Sequence, residues 1–244
     1  MVIVDSYSDC GGRDYNEDFC NFVVNGNRMC AMVADGLGGH GGGSIASSVA
    51  VNTITECFDN HEEAIERTEI TDWFNRANDK VLSEQTLSCK MKTTMAVAYI
   101  DTEHSNLVLA HLGDTRIYHF INGKINYISF DHSVSRMLAF SGEISMEEIR
   151  FHEDRNKLLK AIGSIDEVMP EVKSMSYDKR NDNAILICTD GFWEYVTEEQ
   201  MEDTLSKAGS PKEWLESMKR CLEEKVSSCK KANNDNNTAM AVFL

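Results

Sequence analysis

Val33-Ala34-Asp35-Gly36-Leu37-Gly38-Gly39-His40-Gly41-Gly42-Gly43 carries an apolar run directly into a carboxylate and six glycines. The residues that lead into it, Arg28–Ala34, are apolar at even and odd positions alike, the pattern of a strand buried on both faces. Those that follow place Ile45, Ala46, Val49, Ala50, Ile54 and Phe58 at three- and four-residue intervals, which predicts a helix over 44–58. Asp35 is therefore expected at the end of a core strand, in front of a helix start. Glycine at such a place lets something approach the backbone closely. Either phosphate is cradled on N–H groups, or a carbonyl and a carboxylate reach one metal together. A phosphate loop ends in Gly-Lys-Ser/Thr, and a dinucleotide loop has no acid at its head. Neither pattern is present, which favours the metal.

Upstream, Asn25-Gly26 separates two apolar runs and predicts a two-residue hairpin of type I′. That turn folds the polar cluster Arg13-Asp14-Tyr15-Asn16-Glu17-Asp18 back toward Asp35, although the cluster taken alone reads as a solvated loop. Downstream, Ile70, Trp73, Phe74, Ala77 and Val81 form one apolar stripe within a helical pattern over 61–85. Strands are expected over 93–100, 106–112, 116–121 and 124–129, the last two joined by a second hairpin signal, Asn122-Gly123. Four such strands in a row make an antiparallel sheet, not a βαβ unit. Between two of them, Gly113-Asp114-Thr115-Arg116 sets another acid in a tight turn.

The stretch 131–173 changes character. It breaks into short helical pieces at 133–140, 145–151 and 157–162, stopped by Gly142 and Gly163, and its weak core marks it as a flap. A core strand over 183–189 then runs into Asp190-Gly191. Two helices follow, with capping boxes at Thr197/Gln200 and Ser210/Glu213. The loop 230–237 carries Asp235-Asn236 into a closing strand over 238–244.

A chain of 244 residues makes one large domain or two small ones. At that length about 70–75% of the unfolded surface can be buried without staples. The formal net charge of −16 argues against a nucleic-acid or anionic-membrane surface, both of which need basic patches. Eight cysteines form no C-x-x-C pair, so they read as reduced core residues of a cytoplasmic protein, and no cysteine-held structural zinc is expected. No apolar run approaches the ~18–20 residues of a membrane span, and no basic, then apolar, leader opens the chain.

Three times a strand adjoins an Asp-Gly or Asp-Asn turn, at Asp35, Asp190 and Asp235, and Asp114 makes a fourth. An Asp in a turn usually caps its own backbone. Four of them, with Glu17 and Asp18, suggest carboxylates gathered at one end of two packed sheets, where oxygen-only ligands select Mg²⁺ or Mn²⁺ over zinc.

At this point six ordered motifs stand together: Arg13-x-x-Asn16-Glu17-Asp18, Asp35-Gly36-Leu37-Gly38-Gly39-His40, Thr93-Thr94 before a strand, Gly113-Asp114-Thr115-Arg116, Thr189-Asp190-Gly191-Phe192-Trp193 and Asp235-Asn236-x-Thr238. With them the sequence resembles, over essentially its whole length, the metal-dependent protein serine/threonine phosphatases related to protein phosphatase 2C, in their bacterial stand-alone form. The resemblance implies an α+β fold, a four-layer α-β-β-α sandwich of two antiparallel sheets flanked by helices. It implies a single catalytic domain over 1–244, with its flap in about 131–173. By the same resemblance Asp35 bridges two Mn²⁺ or Mg²⁺ ions, Asp190 and Asp235 complete one of them, and the carbonyl of Gly36 binds the other. Glu17 and Asp18 hold waters on the ions, Arg13 grips the substrate phosphate, and Asp114 shares a weaker third ion with Asp190. The implied partners are phosphorylated proteins, products of a cognate Ser/Thr kinase.

The chemistry supports those roles. A phosphate monoester dianion repels hydroxide, and two divalent ions sharing a carboxylate neutralise it and acidify a water. The planar fork of Arg13 donates two hydrogen bonds to phosphate at once. Two positions depart from the family. Leu37 stands where relatives have a histidine able to protonate the leaving group, and Thr115 replaces a commoner serine. His40 fits the bacterial pattern and is read as a packing residue at the helix start. Two competing readings keep the fold: a pseudophosphatase that docks a partner, and a phosphatase of small phosphomonoesters.

Overall fold

Each residue of the strand Arg28–Ala34 after the first is buried, and the alternation of its side chains sends them into two different cores. Cys30, Met32 and Ala34 meet helices, whereas Met29, Ala31 and Val33 meet a second sheet. A strand with an apolar layer on either side is what makes its sequence a continuous apolar run.

The structure is a computed structural model that describes residues 2–38, 41–229 and 234–244, with the side chain of Cys229 left aside. In chain order its elements are β1 (Ile3–Asp9), β2 (Phe19–Asn25), β3 (Arg28–Ala34), the short β4 (Gly36–Leu37), α1 (Gly42–Asp59), α2 (Arg67–Glu84), the short β5 (Lys92–Thr93), β6 (Met95–Asp101), β7 (Asn106–Leu112), β8 (Arg116–Ile121) and β9 (Lys124–Ile128). There follow α3 (Val134–Ser141), a 3-10 turn (Glu147–Phe151), β10 (Glu171–Ser176), β11 (Asn183–Cys188), α4 (Asp190–Trp193), α5 (Glu198–Leu205), α6 (Pro211–Cys229) and β12 (Asn237–Phe243).

Two five-stranded antiparallel sheets result, in the orders β1-β12-β11-β8-β9 and β10-β7-β6-β3-β2. Their facing sides bury Ala96, Ala98, Leu109, Ile185, Ile187, Met240 and Val242 between them. Outside one sheet, α1 and α2 contribute Ala46, Ala50, Ile54, Trp73, Phe74 and Val81. Outside the other, α5 and α6 contribute Met201, Trp214, Leu215, Met218 and Leu222. Trp214 is fully buried, edge-on to Phe120 at 5.1 Å, and its indole N–H donates to the Met201 carbonyl at 3.0 Å. Full burial of one such large side chain contributes about 1.5–3 kcal/mol. The four-layer sandwich is thus the one expected from the sequence.

Several boundaries differ from expectation, each for a local reason. The second helix begins at Arg67 and not near 61, because Glu66 and Glu69 form a capping box there. Asn25 pairs with Arg28, so the first hairpin turns on Gly26-Asn27. Of these two only Gly26 has positive φ, which rules out type I′. Asn122 and Gly123 both have positive φ and match the type I′ expectation. The stretch 157–162 is not helical: Leu158 bridges Ser133 and Ile162 bridges Thr93, so it is held as extended chain. Strand β10 begins at Glu171 and claims the last three residues of the segment read as flap. Glu213 accepts from the N–H of Gly209, while Ser210 accepts from Glu213, a cap displaced by one residue from the predicted box. His40, together with Gly39, lies outside the described residues. Among the described residues no helix is long and apolar enough to cross a membrane, and the seven cysteines whose side chains are described are free thiols.

Candidate metal centre

Strand register brings the acids together. Phe19 pairs with Ala34, so Asp18 and Asp35 stand side by side where β2 enters its sheet and β3 leaves it. Cys188 pairs with Arg116 on one side and Ala239 on the other. Asp190, Asp114 and Asp235 therefore lie just beyond the same end of the other sheet. The glycines after two of these acids allow a contact that a side chain would block. A Cβ on Gly36 would fall 2.3 Å from the Gly43 carbonyl oxygen, and one on Gly191 would fall 2.0 Å from that of Asn236.

Backbone and hydroxyl groups then lock the turns. The Asp35 carbonyl accepts from the Thr93 hydroxyl at 2.7 Å and the Thr94 N–H at 2.9 Å, and the Thr94 hydroxyl lies 2.6 Å from that of Thr115. The Asn236 carboxamide accepts from the Glu17 N–H at 2.9 Å and donates to the carbonyls of Cys10 and Tyr15. It ties the loop 10–18 to the start of β12, so this loop is braced even though Arg13, Asp14 and Tyr15 are exposed. Thr189 donates to Asp18 at 2.9 Å, and Trp193 donates its indole N–H to the Asp114 carbonyl at 2.9 Å.

A cavity of about 830 Å³ opens over these turns, lined by Arg13, Glu17, Asp35, Gly36, Asp114, Asp190 and Asp235 among others. Seven of the eight residues singled out in the sequence line it, and Asp18 is buried behind Asp35. Six carboxylates line the cavity against one guanidinium among the described residues, that of Arg13, which is 2.7 Å from Asp235. Burial, followed by the neighbouring carboxylates, pushes Asp35 and Asp190 well above the usual carboxylate range. Asp18 and Asp114 rise to about 7, burial again being the leading cause, and Glu17 is raised by burial too. Among the described residues, one oxygen each of Asp18 and Asp114 is buried without a hydrogen-bond partner. Crowded, orphaned carboxylate oxygens fit a hard divalent cation, and nothing in this donor set suits a softer one.

Asn156 and Leu158, from the segment that begins at 131, complete the cavity wall, and sequence reading missed both because no motif marks them. Three ion pairs hold that segment down. Buried Asp131 takes two hydrogen bonds from Arg116, at 2.8 and 2.6 Å, while Arg150 pairs with Glu198 and Arg155 with Glu194. The Arg116 guanidinium stacks 3.5 Å from the Trp193 ring. Trp193 thus joins the segment's root to the Asp114 turn. Asn236, Thr94 and Trp193 stood within the sequence motifs, but their bracing roles depend on contacts up to 226 residues apart in the chain.

The family model for protein phosphatase 2C matches residues 11–233. The serine/threonine phosphatase stp of Listeria monocytogenes is 31% identical over 222 residues, which span 88% of this chain and 82% of that protein. The protein phosphatase PhpP of Streptococcus pneumoniae is 28% identical over 203 residues, 80% of either chain. Among solved structures, the serine/threonine phosphatase Stp1 of Staphylococcus aureus superimposes with a TM-score of 0.85 at 25% identity, covering 100% of this chain and 95% of that one. The catalytic domain of the phosphatase PstP, solved in complex with two manganese ions, superimposes with a TM-score of 0.80 at 23% identity, covering 99% and 97%.

Proposed function

This chain belongs to the protein phosphatase 2C family, and on that premise we propose that it is a Mn²⁺- or Mg²⁺-dependent enzyme that hydrolyses phosphoserine and phosphothreonine in proteins. The observation that carries the metal requirement is the convergence of Asp35, Asp114, Asp190 and Asp235 on one cavity, with only Arg13 among the described residues to balance them. Asp35, the Gly36 carbonyl, Asp190 and Asp235 would hold a pair of divalent ions, and Asp114 with Asp190 a third. When bound, such a pair supplies charge neutralisation for the phosphate dianion and an acidified water as nucleophile.

The chain's own residues do the rest. Arg13, at the rim, leaves Asp235 to grip the non-reacting phosphate oxygens with two N–H groups. Glu17, anchored by the Gly43 N–H at 3.1 Å, and Asp18, anchored by Thr189, orient water around the ions. The backbone of Asp35, fixed by Thr93 and Thr94, keeps its carboxylate aimed into the cavity without reorganisation during turnover. Leu37 lines the cavity and has no proton to give the departing alkoxide. Residues 1–244 act as one catalytic domain with 131–170 as its flap, and the substrates are phosphoproteins made by a Ser/Thr kinase.

The test is release of phosphate from a panel of phosphothreonine and phosphoserine peptides with Mn²⁺, with chelator, and beside small aryl and sugar phosphates. Turnover that resists chelator would refute the metal centre. Activity confined to the small esters would make it a phosphomonoesterase, and none on any substrate would make it a docking protein.

A further inference from the structure

Next to the Asp114 turn of the acidic cavity, β7, the edge strand β10 and the loop after β9 bring together a cluster that the proposed reaction does not use. His111 on β7 points between the sheets, on the same face as Leu107 and Leu109, and its register partner across the strand pair is Glu171, the first residue of β10. His132, in the loop that follows β9, stacks on His111 with ring centroids 4.9 Å apart and planes within 10°. One donor atom each of His111, His132 and Glu171 lies within 4.8 Å of the others. No spacing in the sequence announces this trio, because cross-strand register alone sets Glu171 opposite His111.

We infer that His111, His132 and Glu171 form a site for a transition-metal ion of the zinc class, separate from the acidic cavity. Two imidazoles and one carboxylate are a zinc donor set, unlike the all-oxygen acids of the cavity. His111 is buried and its Nε2 lies 2.7 Å from the Phe130 carbonyl. Nε2–H therefore donates there and Nδ1 keeps its lone pair, the arrangement in which a carbonyl fixes the tautomer of a metal-binding histidine. Burial holds both rings neutral: His111 is lowered and His132 falls to about 3. A neutral ring is the form that ligates.

The geometry also states what binding must change. A tetrahedral ion with bonds of about 2.0–2.2 Å sets its donors about 3.4 Å apart, so an edge as wide as 4.8 Å must close by about 1.4 Å. Parallel rings cannot aim two lone pairs at one point. His132 is the partner that moves, because its ring is only partly buried and, among the described residues, its Nδ1 is held by the Gly113 N–H alone, at 3.1 Å. Since His132 and Glu171 stand at the two ends of 131–170, the ion ties both ends of that segment to β7.

The experiment is zinc retention, and it reads binding without any activity. The full chain is loaded with Zn²⁺ in excess Mg²⁺, passed over a desalting column, and its metal content measured. Co²⁺ loading reports geometry through its visible absorption. The wild-type chain is expected to keep one zinc, and His132→Ala and Glu171→Gln to lose it, with circular dichroism showing that both variants fold. Asp35→Asn should keep it. Zinc retained equally by His132→Ala and Glu171→Gln, no zinc in the wild-type chain, or zinc lost in Asp35→Asn would each overturn the site. The last result would place the ion in the acidic cavity.

Discussion

Asp35→Asn should stabilise the protein without metal and destabilise it with metal. Asp35 is raised by burial and then by Asp18, Asp190, Asp114 and Asp235, so its charge is repelled from four sides. A pair of like charges ~5 Å apart at an effective dielectric of ~20 repels by about 3 kcal/mol. Asp18, moved from 3.8 to about 7, carries a penalty of about 4 kcal/mol when ionised, at 1.36 kcal/mol per unit. Asparagine keeps the shape and a donor toward Asp18 but removes one charge. Protons already relieve part of the repulsion, so a gain of about 1–3 kcal/mol is expected in chelator at pH 8, or roughly 2–4 °C in Tm for each kcal/mol. The sign with pH follows from linkage. The folded, metal-free chain binds more protons than the unfolded chain between about 4 and about 7, so its stability falls as pH rises through that window. The advantage of the variant should therefore grow from pH 5 to pH 8. In Mn²⁺ at about one thousand times Kd the order reverses, because the wild-type chain gains about 4.1 kcal/mol and the variant lacks the shared ligand. Thermal unfolding in chelator and in Mn²⁺, at both pH values, measures all of this. A variant less stable than wild type in chelator would show that Asp35 is held by the protein and not strained by it.

Asp190→Asn and Asp235→Asn should each abolish phosphopeptide turnover while circular dichroism stays unchanged, and near-wild-type activity in either would mean that other acids hold the ions. Arg13→Ala should raise KM about 10- to 100-fold with kcat little affected, since a charge-assisted contact is worth about 1.5–3 kcal/mol, and steady-state kinetics on one phosphothreonine peptide will show it. Asp131→Ala strands the buried Arg116 guanidinium and should cost about 3–5 kcal/mol in urea unfolding. A loss under about 1 kcal/mol would mean that Glu198, 3.6 Å from Arg116, takes over the charge.

The order of strands and helices, the two-faced burial of Arg28–Ala34 and the acids at strand ends were legible in the sequence, because each is written in local periodicity or in an Asp beside a turn. The strand Glu171–Ser176 was not, since its half-exposed, charge-bearing residues carry little alternation and it belongs to the sheet only through its pairing with β7. The extended stretch around Leu158 escaped for a related reason: two isolated bridges, and not its own propensity, hold it straight.

What the sequence by itself determined is the chemical inventory, with Asp35, Asp114, Asp190 and Asp235 in turns, Arg13 near the start, and glycine where no Cβ fits. What only the tertiary structure decided is their common location and its electrostatics. Register between strands far apart in sequence sets Asp18 against Asp35 and Asp114 beside Asp190, and burial then drives their carboxyls toward protonation or metal. The same register sets Glu171 opposite His111. Proximity of this kind depends on pairing across the sheets, and no window of the chain contains it.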